Sequence, residues 1–510
     1  MLLGVVVSPP GQALAAPAQT ACDARMNITI SKLQECVRLD GVRAHQAALQ
    51  AIADDNDGQR FSGFDGYNAS VDYVVATLKA AGYDPQVQPF DYLAFQPVGP
   101  SVLQKLAPGA PVTYVEGTDF GLITQSDRGD VTANVTNVDL QLGIGNTSTS
   151  GCEAADYAGF PAGNIALLQR GTCTFEQKAE TAAAAGVAGI VIMNQGNTAA
   201  EDRNNIPAVT LTANNTSGIP VLGVTYNLGV TLSQTPGLRM RVFANSLRKI
   251  LPTANVIAEK RGANANNVVM AGAHLDSVLA GPGINDNGSG SATILEVAEQ
   301  IAKLDLPNTV RFAWWAAEES GLVGSTNYVN GLSQAEKDRI ALYLNFDMVG
   351  SPNYVFMTQD ADRSSFQPPA GVPIPDGSVA IEDLFESFYT QMGEPYDDAA
   401  FDGRSDYQAF ILNDIPAGGL FTGAEVRKTA EQAGIWGGTV GAQFDPCYHA
   451  ACDTFANNNN HALDVNADVI AGSILTFAYS TESVNGVPGR TAPGNLRLPA
   501  PAGSEGTFVP

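Results

Sequence analysis

The residues of this chain that could bind a metal ion follow apolar stretches that read as buried strands. "VVMAGAHLD", "VRFAWWAAEE" and "LYLNFD" are nearly continuous apolar runs, and each ends on imidazole or carboxylate side chains. Ligands of open α/β sheets bind beyond the carboxyl ends of the strands, so polar residues at these positions are informative. Two further residues of these types lie in a glycine-rich loop before a predicted helix and in the segment "CYHAACD". The set is His274, Asp276, Asp286, Glu318, Glu319, Asp347 and His449.

Each of these residues alone has an ordinary structural explanation, because an acidic pair after a strand is usually a solvated turn and a lone loop histidine is seldom a ligand. Several of them together, each after a strand that should be buried, favour a metal centre. Zinc takes imidazole and carboxylate ligands, and catalytic zinc sites keep a position for water. Two co-catalytic ions lie about 3.5–4 Å apart and can share one bridging carboxylate. The residue types therefore fit two zinc ions.

The same segments resemble a known family. "AHLDS", "GINDNGSG", "AAEESGLVGS", "NFDMVGS", "FDGRSDY", "GGLFTGAE" and "CYHAACD" resemble, in family order, the two-zinc aminopeptidases that include secreted leucine aminopeptidases. The match covers roughly residues 250–480, and residues 41–95 resemble the opening segment of that domain. Residues 110–245, with "IALLQRGTCTFEQKAETAAAAGVAGIVIMNQ", look like the protease-associated domain that often interrupts these enzymes.

The resemblance implies a ligand set for two zinc ions. It assigns His274 and Asp347 to one ion and Glu319 and His449 to the other, with Asp286 bridging the two. The peptide bond after this bridging aspartate resembles one that is cis in the family.

The resemblance also implies roles for five residues around the ions. Glu318 matches the general base that activates a bridging metal-bound water, and Tyr448 matches the residue that stabilises the oxyanion. Asp276 would hold the second ring nitrogen of His274, which fixes the tautomer of a metal ligand. Arg404 matches a substrate-contacting residue, and Phe421 is expected to line the pocket for the first side chain.

Strand and helix patterns alternate after about residue 250, which predicts an α/β fold. Near-continuous apolar strands separated by helices such as "SATILEVAEQIAKL" suit a sheet covered by helices on both sides. We expect a three-layer αβα sandwich with a mostly parallel mixed central sheet, interrupted by a β-rich protease-associated domain. The expected segments are 1–20 (signal-peptide-like), 21–108 (first part of the peptidase domain), 109–245 (protease-associated domain), 246–486 (main peptidase domain with the zinc site) and 487–510 (a tail rich in Pro and Gly).

Composition and cysteines point to an exported protein. The 510 residues carry 27 basic and 52 acidic side chains, a net charge of −25, which argues against nucleic acid as a partner. The apolar start resembles a signal peptide, although no Lys or Arg precedes the apolar run. No later stretch is apolar for long enough to span a membrane.

The six cysteines form three sequence-local couples, and local pairing into disulfides is favoured among fifteen possible connectivities. The couples are Cys22 with Cys36, Cys152 with Cys173, and Cys447 with Cys452.

We therefore expect a secreted, monomeric zinc aminopeptidase that acts on peptides with a free N-terminus and prefers large apolar residues such as Leu. Three alternatives stay open. A carboxypeptidase or dipeptidase on the same scaffold would need several arginines for a substrate carboxylate, whereas "FDGRSDY" offers one. A cyclising transferase of this broad fold needs only one zinc. A receptor-like binding protein would have lost its metal ligands, yet all five ligand positions carry suitable residues.

Overall fold

The computed structural model describes Cys22 and residues 24–369 and 371–506. It divides into two compact units, of which the first comprises the chain up to Phe90 and from Thr253 onward, and the second comprises Asp91–Pro252. The predicted signal-like segment 1–20 lies outside the described residues. Among the described residues, no helix combines the length and apolar character that crossing a bilayer requires.

The helices and strands are numbered here in chain order. The helices are α1 Ile30–Gln34, α2 Leu39–Asp54, α3 Asp65–Ala81, α4 Phe175–Ala184, α5 Tyr226–Ser233, α6 Gly288–Ile301, α7 Val323–Gly331, α8 Gln334–Lys337, α9 Ser378–Met392, α10 Tyr407–Ile411, α11 Ala430–Trp436, α12 Asn460–Tyr479 and α13 Glu482–Asn485. The strands are β1 Gln86–Pro97, β2 Val102–Ala107, β3 Val112–Thr113, β4 Phe120–Leu122, β5 Gly129–Asn137, β6 Ile165–Gln169, β7 Gly189–Met193, β8 Val221–Val224, β9 Arg239–Ala244, β10 Ser246–Lys260, β11 Asn264–His274, β12 Asn308–Trp315, β13 Ile340–Phe346, β14 Met357–Gln359, β15 Asp397–Ala399 and β16 Ala417–Phe421.

The first unit is built on an eight-stranded mixed sheet in the order β1-β10-β12-β11-β13-β16-β14-β15. Its four central strands, β12, β11, β13 and β16, are parallel to one another. Strand β10 pairs antiparallel with β12, and β14 pairs antiparallel with β16. Because the central strands run the same way, their carboxyl ends meet at one edge of the sheet, which is where an open α/β sheet binds ligands.

Helices cover both faces of this sheet. Along β11, Val269 and Ala271 point into one hydrophobic core and Met270 points into the other, since side chains alternate along a strand. Helices α2, α3, α6, α9 and α12 supply the first core, and α7 and α10 supply the second. Both sides of the central strands are therefore buried, and the expected α/β fold with helices on both faces is confirmed.

The second unit has its own eight-stranded sheet, in the order β3-β2-β9-β5-β6-β7-β8-β4. Strands β5, β6, β7 and β8 are parallel, and β2 and β9 are antiparallel neighbours. Helix α4 begins where the Thr174 side chain accepts a hydrogen bond from the Gln177 N–H group, which satisfies one of the free donors at the helix start. The second unit thus contains helices within a β-rich framework.

Three disulfides join the cysteines that are close in sequence. The pairs are Cys22–Cys36, Cys152–Cys173 and Cys447–Cys452. The second lies in the second unit, and the other two lie in the first.

A buried histidine links three helices of the first unit. His45 on α2 is 7% exposed, and its Nδ1 atom lies 2.7 Å from the hydroxyl of Tyr73 on α3. Its Nε2 atom lies 3.2 Å from Glu299 and 3.5 Å from Glu296, both on α6. Burial by itself would lower the pKa of His45, but the hydrogen bonds to the two glutamates raise that pKa to about 10. Helix α6 directly follows the loop that contains Asp286, so this ion pair also supports that loop.

Replacing His45 by Gln should destabilise the protein in a pH-dependent way. The folded-state pKa lies above the unfolded value near 6.5, so the stabilisation is complete below that value and is lost as pH rises through about 10. We expect the difference in free energy of unfolding between the wild type and His45→Gln to be roughly 2–4 kcal/mol at pH 6 and to shrink toward pH 10. Urea unfolding at several pH values measures it, and a difference that does not change with pH would contradict the ion pair.

Candidate metal centre

The loop between β11 and α6 carries two of the candidate ligands. His274 is the last residue of β11, and Asp286 follows a glycine-rich turn. The next residue, Asn287, caps α6 by accepting a hydrogen bond from the Gly290 N–H group at 2.9 Å. The peptide bond between Asp286 and Asn287 is cis. The position of Asp286 is therefore determined by the start of a buried helix.

A buried acid from the C-terminal part of the chain holds this loop. The Asp453 carboxylate accepts the main-chain N–H groups of Asn285 and Asp286, at 2.8 and 3.0 Å. Burial, together with the negative charge of the neighbouring Asp445, raises the pKa of Asp453 to about 8. Asp453 is the last residue of the quoted segment "CYHAACD". Only the fold shows that its side chain contacts the main chain of the loop before α6.

Asp286 lies between the two histidines of the candidate ligand set. Its Oδ1 atom is 3.2 Å from His274 Nε2, and its Oδ2 atom is 3.2 Å from His449 Nε2. His274 Nε2 is also 3.3 Å from Asp347 Oδ1, and His449 Nε2 is 3.0 Å from Glu319 Oε2. Five residues from four separate loops thus converge, and each oxygen of the central carboxylate contacts a different imidazole.

The potential ligand atoms fall into two groups. His274, Glu318 and Asp347 form one, and Asp286, Glu319 and His449 form the other, with the candidate atoms of each group within 4.8 Å of one another. Each group combines one imidazole with two carboxylates, which is a ligand set that zinc accepts. The donors therefore fit zinc.

Asp276 contacts both His274 and Glu318. The Nδ1 atom of His274 is 3.1 Å from the main-chain carbonyl oxygen of Asp276 and 3.7 Å from its carboxylate, so the carbonyl is the nearer partner. The carboxylate instead accepts the main-chain N–H of Glu318 at 3.2 Å. Asp276 thereby orients the histidine through its backbone and the glutamate segment through its side chain.

Ser405 is a supporting residue that the sequence did not single out. Its hydroxyl donates a hydrogen bond to Asp347 Oδ2 at 2.6 Å and accepts one from the Asn345 side chain at 2.9 Å. Ser405 lies inside the quoted motif "FDGRSDY", yet a serine in a loop carries no signal of its own. The hydrogen bond fixes one oxygen of Asp347 while the other lies beside His274.

Three residues at this edge of the sheet have left-handed backbone conformations, which are uncommon outside glycine. The φ angles are 54° for Ala317, 52° for Met348 and 54° for His449. Ala317 directly precedes Glu318, and Met348 directly follows Asp347. Such conformations persist where the surroundings over-determine them, and they are concentrated at functional sites.

The electrostatics of the cluster are dominated by buried carboxylates. Burial raises the pKa of Glu319 to about 7, and it raises the pKa of Glu318 well above its ordinary range, with the charge of Asp347 adding to the effect. Burial alone would lower the pKa of His449, but hydrogen bonds to Asp286 and Glu319 raise it to about 10. The carboxylates repel one another, and the histidines are stabilised in their positively charged form. Both effects indicate a negative electrostatic potential, so this site attracts cations.

Tyr448, Arg404 and Glu425 form a polar group beside the cluster. The Arg404 guanidinium donates to Glu425 at 2.9 Å and to the Tyr448 hydroxyl at 3.3 Å. The Tyr448 ring stacks on His449 with ring centroids 3.9 Å apart. The Cys447–Cys452 disulfide closes a short loop around these two aromatic residues, which restricts their movement.

A cavity of about 350 Å³ opens onto the two groups of ligands. His274, Asp286, Glu318, Glu319, Asp347 and His449 lie on its polar side, together with Arg404 and Tyr448. The apolar side of the wall includes Met348, Leu420, Phe421, Val426 and Phe444. The cavity can therefore take an apolar side chain next to a charged reaction centre.

Two family models and several known proteins match this chain. Residues 255–474 match the model of peptidase family M28, and residues 131–232 match the PA domain. An aminopeptidase of Pseudomonas aeruginosa is 52% identical over 453 residues, which are 89% of this chain and 83% of that protein. Leucine aminopeptidase 2 of Trichophyton rubrum is 37% identical over 92% of this chain and 89% of its own length. The solved aminopeptidase from Aneurinibacillus sp. strain AM-1 aligns with a TM-score of 0.63 and 25% identity, over 92% of this chain and 99% of that one.

The chain belongs to peptidase family M28 and is an aminopeptidase that carries a PA domain. The resemblance found in the sequence, to zinc aminopeptidases with an inserted protease-associated domain, is confirmed.

Proposed function

We propose that this protein removes single residues from the amino termini of peptides with the help of two zinc ions. The observation that carries the proposal is the placement of Asp286, whose two carboxylate oxygens each lie 3.2 Å from a different histidine nitrogen. A carboxylate placed in this way is suited to bridge two cations.

Five of the six residues in the two groups of donors would hold the ions, and Glu318 would not be a ligand. His274 and Asp347 would hold one zinc, Glu319 and His449 would hold the other, and Asp286 would be shared. Zinc bound there lowers the pKa of a coordinated water and polarises a substrate carbonyl.

Glu318 is placed to move the proton. Its carboxylate would accept a proton from the attacking water as the new C–O bond forms at the peptide carbonyl. It would then deliver that proton to the leaving nitrogen as the C–N bond breaks. Burial raises the pKa of Glu318, which favours the protonated carboxyl that the transfer needs between its two steps. The Tyr448 hydroxyl, which is held by Arg404, would donate a hydrogen bond to the oxyanion.

The cavity also supports an exopeptidase with a preference for large apolar residues. The carboxylates of Glu318 and Asp347 line the polar side and would attract a free α-amino group. The apolar wall around Phe421 would accept a side chain such as that of Leu. Three disulfides and the signal-like start favour secretion into an oxidising environment.

The carboxypeptidase alternative is less well supported. Recognition of a substrate carboxylate needs a free cation, yet Arg404 is the one Lys or Arg side chain that lines the cavity among the described residues. That arginine is paired with Glu425.

Hydrolysis of Leu-p-nitroanilide by the purified protein, next to an N-acetylated copy of the substrate, tests the proposal. We expect cleavage of the free-amine substrate alone, loss of activity on chelation and recovery with zinc. A panel of aminoacyl p-nitroanilides should rank Leu above Gly and Asp, because the apolar wall gains contact area only with the larger apolar side chain. No cleavage by folded protein that carries two zinc ions would overturn the aminopeptidase assignment.

Glu318→Gln should reduce kcat by about 10²–10⁴-fold, because it removes the proton acceptor while keeping the shape of the side chain. Zinc content should not change, since Glu318 is not in the proposed ligand set. Glu431→Gln, at an exposed position on α11, is the matched control and should keep the wild-type kcat. A Glu318→Gln protein with normal kcat would exclude the assigned role.

Ser405→Ala should weaken zinc binding by about 10–100-fold, because Asp347 loses the hydrogen bond that orients it. Competition with a chromogenic chelator measures the affinity independently of turnover. Ser405→Thr keeps the hydroxyl and should restore most of the affinity. Equal zinc affinity in the wild type and Ser405→Ala would show that the hydrogen bond does not support a ligand.

A further inference from the structure

A second group of acids lies in the first unit, apart from the candidate metal centre. The acidic cluster, as we call it, consists of Asp360, Asp362, Glu382, Glu386 and Asp398. Glu382 and Glu386 are one turn apart on α9, Asp398 lies in β15, and Asp360 directly follows β14. Carboxylate oxygens of Glu382, Glu386 and Asp398 all lie within 4.8 Å of one another, as do those of Asp360, Asp362 and Glu382.

Most of this negative charge is buried without a basic partner. Asp360 and Asp398 are each 1% exposed, Glu382 is 3% exposed and Glu386 is 8% exposed. No Lys, Arg or His within the described part of the chain forms an ion pair with any of the five acids. Burial raises the pKa of Glu382 to about 9 and that of Glu386 to about 8, which reflects the cost of charging them together. Buried charge of this kind calls for a compensating proton or a cation.

An unpartnered hydroxyl on the neighbouring strand distinguishes a bound cation from compensating protons. Thr358 in β14 is fully buried, and its Oγ atom has no hydrogen-bond partner among the described residues. Thr358 is the register partner of Asp398 in β15, so both side chains lie on the same face of the sheet. The Oδ1 atom of Asp398 also lacks a hydrogen-bond partner within the described chain. Shared protons would still leave the threonine hydroxyl unpartnered, whereas a cation would use both oxygens.

This face of the edge strands is the one that α9 covers. Thr358 is also the register partner of Leu420 in β16, which shares its face with Gly418, and a side chain at Gly418 would meet Ile381 of α9. The buried hydroxyl and the free oxygen of Asp398 therefore lie toward the helix that carries Glu382 and Glu386.

Other hydrogen bonds hold the carboxylates in place. One oxygen of Glu382 accepts the main-chain N–H groups of Ala361 and Asp362, both at 3.0 Å. Asp398 Oδ2 accepts from the Ser504 hydroxyl at 2.7 Å and from the Ser364 hydroxyl at 3.1 Å. Preorganised acids of this kind can bind an ion without a large entropic cost of ordering their side chains.

We propose that the acidic cluster is a calcium site, with Glu382, Glu386, Asp398 and the Thr358 hydroxyl as protein ligands. All of these donors are oxygen atoms, which suits a hard cation, whereas zinc sites favour nitrogen and sulfur. Calcium binds oxygen at about 2.3–2.6 Å, so two ligands on opposite sides of one ion are up to about 5 Å apart. The spacing of the carboxylates is within that limit.

The position of the site suggests what calcium would do. Gln359 and Ala399 come directly after Thr358 and Asp398 in their strands, and both line the cavity of the candidate metal centre. An ion that joins α9 to β14 and β15 would therefore brace one wall of the substrate cavity. Its role would be structural, separate from the zinc chemistry.

Calcium titration of zinc-loaded protein in calcium-free buffer tests the proposal. Isothermal calorimetry with CaCl₂ should show one calcium ion fewer per molecule in Glu386→Gln and in Asp398→Asn than in the wild type. About 1 mM CaCl₂ should raise the Tm of the wild type by several degrees, with a smaller rise in both variants. Asp383→Asn removes an exposed carboxylate from the same turn of α9, and it should behave like the wild type.

Identical isotherms for the wild type and both variants would overturn the calcium site. The competing account, in which the acids are protonated, predicts a different pattern. Glu386→Gln would then mimic a neutral carboxyl, and Tm would rise as pH falls from about 9 to 6, whether or not calcium is added. That pattern without a difference in calcium stoichiometry would also overturn the proposal.

Discussion

Buried carboxylates that repel one another are the constraint on which the functional part of this structure depends. Asp286, Glu318, Glu319 and Asp347 approach two imidazoles at the end of a parallel sheet, and burial raises the pKa of Glu318 and Glu319. Charges of one sign stay together in a low-dielectric site only when cations or protons compensate them. The same repulsion that makes the cluster costly to fold makes it a strong attractor for divalent ions.

The sheet meets this constraint by holding the acids on rigid elements. Four parallel strands bring their carboxyl ends to one edge, and helices bury both faces of those strands. The loops that leave this edge are short or fixed by hydrogen bonds, as Asp453 fixes the turn before α6. Supporting contacts from Asp276 and Ser405 then orient individual side chains. Precision in the site therefore comes from the backbone and from a second layer of polar contacts.

The two faces of the edge strands serve different purposes. Along β14 and β15, Thr358 and Asp398 turn toward α9 and the acidic cluster, while Gln359 and Ala399 line the substrate cavity. Alternation of side chains along a strand makes this division possible with neighbouring residues. The wall of the cavity and the proposed calcium site consequently share the same short strands.

The sequence by itself determined the family, the fold class and the candidate ligands. Apolar runs that end on His274, Glu318 and Asp347 indicate strand ends in a buried sheet, and those residue types indicate a metal. Local patterns of this kind depend on residues close together in the chain. Only the tertiary structure decided that Asp286 lies between two histidines, that Ser405 holds Asp347 and that Thr358 faces Asp398. These contacts join residues from separate loops or strands, so their geometry is set by packing and strand register, which no short stretch of sequence encodes.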